Sequence, residues 1–239
     1  SAGMDCLVHI WNSHTGKEVQ SLKGHRNWIR DLAFSPDGQF LFTASGGTQV
    51  DGQPKPGDDH TIRVWSVSSG KEIECFEGHV EPVINIAIST DGKQIASGST
   101  DSTVRVWNVE SGEESSRFDF DHGFPSAMAF YPDSRNLFVA GSDGMVRFYD
   151  FLNGREVAQI EAHKGRIWAV AIAPNNRLFV TGGADGTAKL WTDRTKSVRS
   201  ICPHDDAVTT VAFSPASTRF LTGSEDGTVR LWDTASGKE

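Results

Sequence analysis

Little in this chain points to cross-linking, metal capture or membrane insertion. Its three cysteines, Cys6, Cys75 and Cys202, are widely separated and form no Cys-x-x-Cys pair. An odd number so spaced does not suggest a disulfide framework or a cysteine zinc site, and reads as buried free thiols in apolar runs. No apolar stretch approaches 18 residues, no signal-peptide pattern opens the chain, and no Asn-x-Ser/Thr sequon occurs. Those absences predict cytoplasmic residence and no membrane span. Positive charge is scarce and scattered. The 23 Lys and Arg are outnumbered by 31 Asp and Glu, giving a net charge of −8, and no Lys/Arg run exceeds two. Without a concentrated basic face, neither nucleic acid nor an anionic membrane is an expected partner.

What the chain has in quantity is tryptophan and glycine, seven and 24 residues respectively. Trp11, Trp65, Trp107, Trp191 and Trp232 each end a β-like run, and Tyr149 takes the one vacant place, so the steps are 54, 42, 42, 42 and 41 residues. Six residues before each aromatic stands an aspartate: Asp5, Asp59, Asp101, Asp143, Asp185 and Asp226. A period of roughly 40–45 residues ending in Trp describes a small β unit that must stack on copies of itself. The stretch from His79 to His122 shows the unit. Pro82–Ile88 stops at Ser89-Thr90-Asp91-Gly92, Lys93–Ser97 stops at Ser99-Thr100-Asp101, Thr103–Asn108 alternates, and Glu113–Phe118 follows the Glu110-Ser111-Gly112 turn. Four strands joined by Gly- and Asp-rich turns are predicted.

The succession Gly-His, Ser-Pro-Asp-Gly, Ser-Gly-Ser-x-Asp and Val-Arg-Val-Trp resembles the WD40 repeat family. Gly-His stands at Gly24-His25 and Gly78-His79, and is loosened at Asp121-His122, Ala162-His163 and Pro203-His204. Trp-Asp itself survives only at Trp232-Asp233. The resemblance covers essentially the whole chain and implies an all-β fold, a β-propeller of four-stranded antiparallel blades. Residues 1–239 then form one propeller array, with a partial blade at 1–25, blades near 26–79, 80–122, 123–163 and 164–204, and a partial last blade at 205–239. Two strands, four full units and three strands imply an incomplete segment of a ring, most simply one of seven blades.

The resemblance also implies a hydrogen-bonded chain of His, Ser/Thr, Asp and Trp inside each blade. Its members here are His25, Thr43, Asp59 and Trp65; His79, Ser97, Asp101 and Trp107; His163, Thr181, Asp185 and Trp191; and His204, Thr222, Asp226 and Trp232. The fourth unit departs, with Val139 for the Ser/Thr and Tyr149 for Trp. Four in-phase copies read as structure, so no Ser-His-Asp triad, no catalytic residue and no metal or other cofactor is expected. Asp58-Asp59-His60 is not taken as a metal site, since Asp59 belongs to the repeat chain.

Binding residues are sought where the repeat is broken. Trp28 and Trp168 lie outside the repeat, at the starts of innermost strands. Trp28 matches Pro82, Phe124, Arg166 and Ala207 in the other units, whereas Trp168 matches Arg30, Ile84, Ser126 and Thr209. Trp and Arg dominate interface energetics, so Trp28, Arg30, Arg166 and Trp168 form the candidate partner-contact set. The long step reflects an insertion, residues 46–58, expected to be an irregular loop over the same face. Gln53, Lys55 and Asp58 are its candidate contacts. The predicted function is a non-catalytic protein- or peptide-binding scaffold. The alternative is a sensor or regulatory module of a larger signalling enzyme, a kinase or NTPase, so that the chain is part of a larger polypeptide or assembly.

Overall fold

A computed structural model describes residues 1–50, 53–55, 59–132, 135–192 and 197–239, the side chains of residues 48–50, 53–55, 197 and 200 excepted. It falls into two compact units, Ser1–Phe120 and Asp121–Glu239. Every regular element among the described residues is a strand, and every pairing is antiparallel.

In the first unit, Leu7–Trp11 pairs with Glu18–Lys23 as a two-stranded first sheet. The second sheet runs Ile29–Phe34, Phe40–Ser45, Ile62–Ser66 and Glu72–Phe76, in chain order across the sheet. The third runs Val83–Ile88, Gln94–Ser99, Thr103–Asn108 and Glu114–Asp119 in the same order. The second unit holds a fourth sheet (Pro125–Phe130, Asn136–Gly141, Met145–Asp150, Arg155–Glu161) and a fifth (Ile167–Ile172, Leu178–Gly183, Thr187–Thr192, Ser197–Pro203). Its sixth sheet has three strands, Val208–Phe213, Arg219–Ser224 and Val229–Asp233. Within each unit the first strands of successive four- or three-stranded sheets pack side by side.

Apolar residues on both faces of a sheet explain why these sheets stack. In the second, Leu41 and Trp65 pack with Val8 and Leu22 of the first, whereas Phe42 and Val64 pack with Val83, Ile95 and Trp107 of the third. Trp107 lies flat on Phe76 across that second interface, centroids 5.7 Å apart. In the second unit Phe138 and Phe148 meet Phe179, while Val180, Leu190, Phe220 and Trp232 fill the fifth–sixth interface. Outermost strands alternate exposed and buried residues, as the more polar runs predict. For the same reason Cys75, on such a strand, is partly exposed, and Cys6 sits in a turn; only Cys202 is the buried thiol that the sequence suggests for all three.

The inserted segment differs from the expected irregular loop. Thr48–Val50 pairs with Gln53–Lys55 as a short ladder, Gln49 opposite Pro54. The β-forming Thr-Gln-Val run suffices for three residues, and a two-stranded ladder has two open edges, where proline's missing N–H does no harm.

Inside four of the sheets one chain of hydrogen bonds recurs. In the fifth, Trp191 Nε1–H donates to Thr181 Oγ1 at 3.0 Å, and Thr181 Oγ1 lies 2.7 Å from His163 Nε2. His163 Nδ1 lies 2.9 Å from Asp185 Oδ1. Burial pushes the His163 pKa down, so the imidazole is neutral; its Nδ1–H donates to the carboxylate and its Nε2 accepts from the threonine. Every donor then has an acceptor. The same links are 2.8, 2.7 and 3.1 Å through Trp65, Thr43, His25 and Asp59. They are 2.9, 2.8 and 2.9 Å through Trp107, Ser97, His79 and Asp101. Through Trp232, Thr222, His204 and Asp226 they are 2.9, 2.6 and 2.9 Å. Each aspartate also accepts the hydroxyl of a threonine two residues on and the backbone N–H after its histidine.

The fourth sheet is filled differently. Val139 is fully buried, His122 is exposed, and Asp143 takes two hydrogen bonds from Arg147, the shorter 2.6 Å. Burial, with help from Glu156, raises the Tyr149 hydroxyl above its ordinary pKa, so the ring stays neutral in its packed place.

The hydroxyl in the middle of each chain holds two neighbours at once. Thr181→Val should therefore destabilise by about 2–4 kcal/mol, leaving Trp191 N–H and His163 Nε2 buried and unpaired, while Thr181→Ser stays within about 1 kcal/mol. Denaturant unfolding checks both.

The chain also sets a pH dependence. Burial alone would raise the Asp185 carboxyl, yet hydrogen bonds from Thr187 and His163 outweigh it and hold the pKa at about 2. Asp59, Asp101 and Asp226 are likewise held below the ordinary range. The native state thus binds fewer protons than the unfolded chain once pH drops below about 4. Their stabilisation is complete above that and lost as pH falls through about 2. The lowered His163 adds a loss of the same sign, starting near pH 6.5. Unfolding temperature should be level above pH 7, decline below 6.5, and fall steeply between about 4 and 2. A flat profile down to pH 2 would contradict this account.

A third expectation concerns the turn after the second strand. Gly144, Gly186 and Gly227 adopt φ of +82°, +74° and +83°, but Ser102 holds the equivalent place at +64°. Ser102→Gly removes a left-handed strain and should stabilise by roughly 0.5–1 kcal/mol, read by calorimetry.

Candidate functional site

The first strand of every four- or three-stranded sheet has one residue too many at its start. Ile29 faces Ser45 and Asp31 faces Ala44, which leaves Arg30 outside the ladder. The same shift leaves out Ile84, Ser126, Trp168 and Thr209 in the third to sixth sheets. A β-bulge bends its strand and re-aims the bulged side chain. These five residues are the equivalent positions whose chemistry the repeat leaves free to vary. Their companions two places earlier are Trp28, Pro82, Phe124, Arg166 and Ala207.

In two sheets the bulge and its companion form a cation–aromatic pair. The Arg30 guanidinium lies over the Trp28 ring, 4.9 Å from the centroid, and Arg30 Nε–H donates to Gly46 O at 2.9 Å. Trp28 in turn exchanges backbone hydrogen bonds with Gly46 and Gly47, so the base of the inserted segment is tied to this pair. In the fifth sheet the order is reversed, with the arginine as companion and the tryptophan on the bulge. Arg166 lies 3.8 Å over the Trp168 ring and 5.1 Å over Phe124. Trp168 remains 37% exposed. Partial burial lowers the pKa of both arginines, and both remain cationic at any physiological pH.

The structure thus joins Trp28 to Arg30, and Arg166 to Trp168, as two separate pairs, one in each unit. Phe124, which the sequence offers only as the counterpart of Trp28 and not as a candidate contact, is the third member of the second. Of the insertion's candidates, Gln53 and Lys55 have only their backbone described, and Asp58 lies outside the described residues.

Thr43, Ser97, Thr181 and Thr222 are fully buried and already engaged on both sides, so none presents a hydroxyl to a substrate. Among the described residues no three His, Cys, Asp or Glu side chains are placed to hold a metal ion. No helix among them is long and apolar enough to cross a membrane.

Comparison with known proteins agrees with the sheets. Residues 16–66, 70–108, 115–150, 154–192 and 195–233 each match the family described as WD domain, G-beta repeat. The chain is 37% identical over 101 residues to DENN domain and WD repeat-containing protein SCD1 of Arabidopsis thaliana, a match covering 42% of this chain and 7% of that protein. An uncharacterized WD repeat-containing protein of Synechocystis is 30% identical over 95 residues, 40% of this chain and 24% of its own length. Nuclear distribution protein PAC1 of Coccidioides posadasii is 35% identical over 89 residues, 37% of this chain and 16% of its own. The matches therefore span a quarter or less of these relatives. With five repeats in register over most of its length, each running from the outermost strand of one sheet through the first three strands of the next, the chain belongs to the WD40 repeat family.

Proposed function

We propose that this chain is a non-catalytic platform that holds a protein or peptide on the blade ends where the first strands bulge. The observation that carries the reading is the pair of cation–aromatic contacts at Trp28–Arg30 and Arg166–Trp168, set on bulges that the fold itself does not need to be aromatic or charged. Rigid rings and a stacked guanidinium give contact area with little rotamer entropy left to lose. Membership of a family whose repeats serve in general as protein-interaction scaffolds supports it. The inserted segment, anchored at Trp28, acts in this reading as a clamp, with Gln53, Lys55 and Asp58 as its candidate contacts. The net charge of −8 disfavours nucleic acid, and the platform works in the cytoplasm without a cofactor.

A second reading makes the platform a sensor or regulatory module of a larger signalling enzyme. What favours it is the small share of each relative that the matches span, and the pairing of WD repeats with a DENN domain in the name of one of them. The first reading predicts a specific loss. Trp28→Ala combined with Arg166→Ala should weaken binding of an affinity-purified partner by about 2 kcal/mol, roughly thirty-fold, in isothermal titration, with the unfolding temperature nearly unchanged. Equal damage to stability and binding would make both residues structural.

A further inference from the structure

Resting on that reading, we infer that Arg166, held between Phe124 and Trp168, is a receptor for a single carboxylate on an acidic segment of the bound protein. The first argument is charge pairing. The arginines on the third strands have an acid at hand: Arg63 with Glu72 at 2.7 Å, Arg105 with Glu114 at 2.6 Å, Arg147 with Asp143 at 2.6 Å. Arg166 has no ion pair or hydrogen-bond partner for its guanidinium among the described residues; its Nε is buried without an acceptor, as are those of Arg63 and Arg105, so the difference lies in the missing acid. In a chain with eight more acids than bases, an unpaired half-buried cation marks a place where the counter-ion comes from outside.

The second argument is directional. Ring faces attract the flat side of a guanidinium, but they leave the N–H groups in its plane unsatisfied. Stacking at 3.8 and 5.1 Å therefore fixes the plane while leaving its edge to bind. Two parallel N–H groups on that edge match the two oxygens of a carboxylate. The partly exposed Trp168 ring offers an apolar rim suited to the methylene stem of a glutamate.

The third argument is the internal comparison. Arg30 makes a like stack on Trp28, yet its Nε already donates to Gly46 O, so that edge is partly closed. A phosphate dianion is poorly matched, because a lone guanidinium in an acidic chain balances one negative charge.

Nuclear magnetic resonance of the full chain tests this through the arginine Nε–H and tryptophan indole signals. The probes are a capped Gly-Gly-Glu-Gly-Gly peptide, its Gln counterpart and inorganic phosphate. The Glu peptide should move the Arg166 and Trp168 signals saturably, at least tenfold more tightly than the Gln peptide. Arg166→Gln should abolish the response, and Arg166→Lys, which keeps the charge without the fork, should weaken it several-fold. Unchanged indole signals from Trp191 and Trp232 certify that each variant is folded. Equal binding of Glu and Gln peptides, no response to either, or phosphate binding tenfold tighter than the Glu peptide would each overturn the inference. If the double alanine variant loses its partner while Glu and Gln peptides behave alike, the platform stands and the carboxylate receptor falls. If the Glu peptide binds as expected but that variant keeps its partner, the receptor stands and the platform reading falls.

Discussion

One buried hydroxyl in each of four blades governs much of this fold. Thr43, Ser97, Thr181 and Thr222 each accept a tryptophan N–H and donate to a histidine whose other nitrogen reaches an aspartate. The chain crosses the sheet from the third strand to the turn before the first, so it ties together segments far apart in sequence. A tryptophan buried in a stacked sheet brings a polar N–H with it, and that group is costly if left alone. The relay meets the cost at its source and uses the same bonds to hold the turns. Where the hydroxyl is missing, at Val139, the tryptophan is missing too, and aromatic packing takes over around Phe138, Phe148 and Phe179.

Anchoring the turns has a functional side. The turn that carries each histidine leads directly into the first strand, where the bulge stands. A side chain re-aimed by a bulge is useful for recognition only if the backbone beneath it stays put. His25 and His163, three to five residues before the members of the aromatic–arginine pairs, supply that fixed base. In the proposed reading, structure and recognition are neighbours along the chain but use separate residues, so that the pairs can vary without loosening the sheet.

Much of this was legible in the residue pattern. Trp at steps near 42, with Asp six residues earlier, located the third strands; the Gly-His pairs located turns between sheets, and the Asp-Gly pairs located turns within them. The bulges were not legible, because an extra residue in a strand leaves no compositional mark; it shows only when partners across the ladder are known. Without the bulge, Arg30 and Trp168 were simply variable positions. Two-residue spacing does put side chains on one side of a strand, so Trp28 with Arg30 and Arg166 with Trp168 could have been read as pairs. Phe124 could not, since it comes from a different sheet, 42 residues before Arg166. The ladder at Thr48–Val50 escaped for the opposite reason: its glycine- and proline-rich surroundings outweighed three β-forming residues.

A repeat scaffold faces a particular problem in acquiring function, because the symmetry that stabilises it also makes every blade alike. The two stacked pairs show how that symmetry is broken at small cost. They use the same two residue types at the same two positions, but in exchanged order, Trp then Arg in the second sheet and Arg then Trp in the fifth. Placing the arginine on the bulge turns its Nε onto Gly46 and spends the cation on its own chain. Placing the tryptophan on the bulge pins the arginine between two rings and leaves its edge unspent. The order of one Trp–Arg pair, read against a bulge common to the four- and three-stranded sheets, thus separates a cation that braces the insertion from the one proposed to bind.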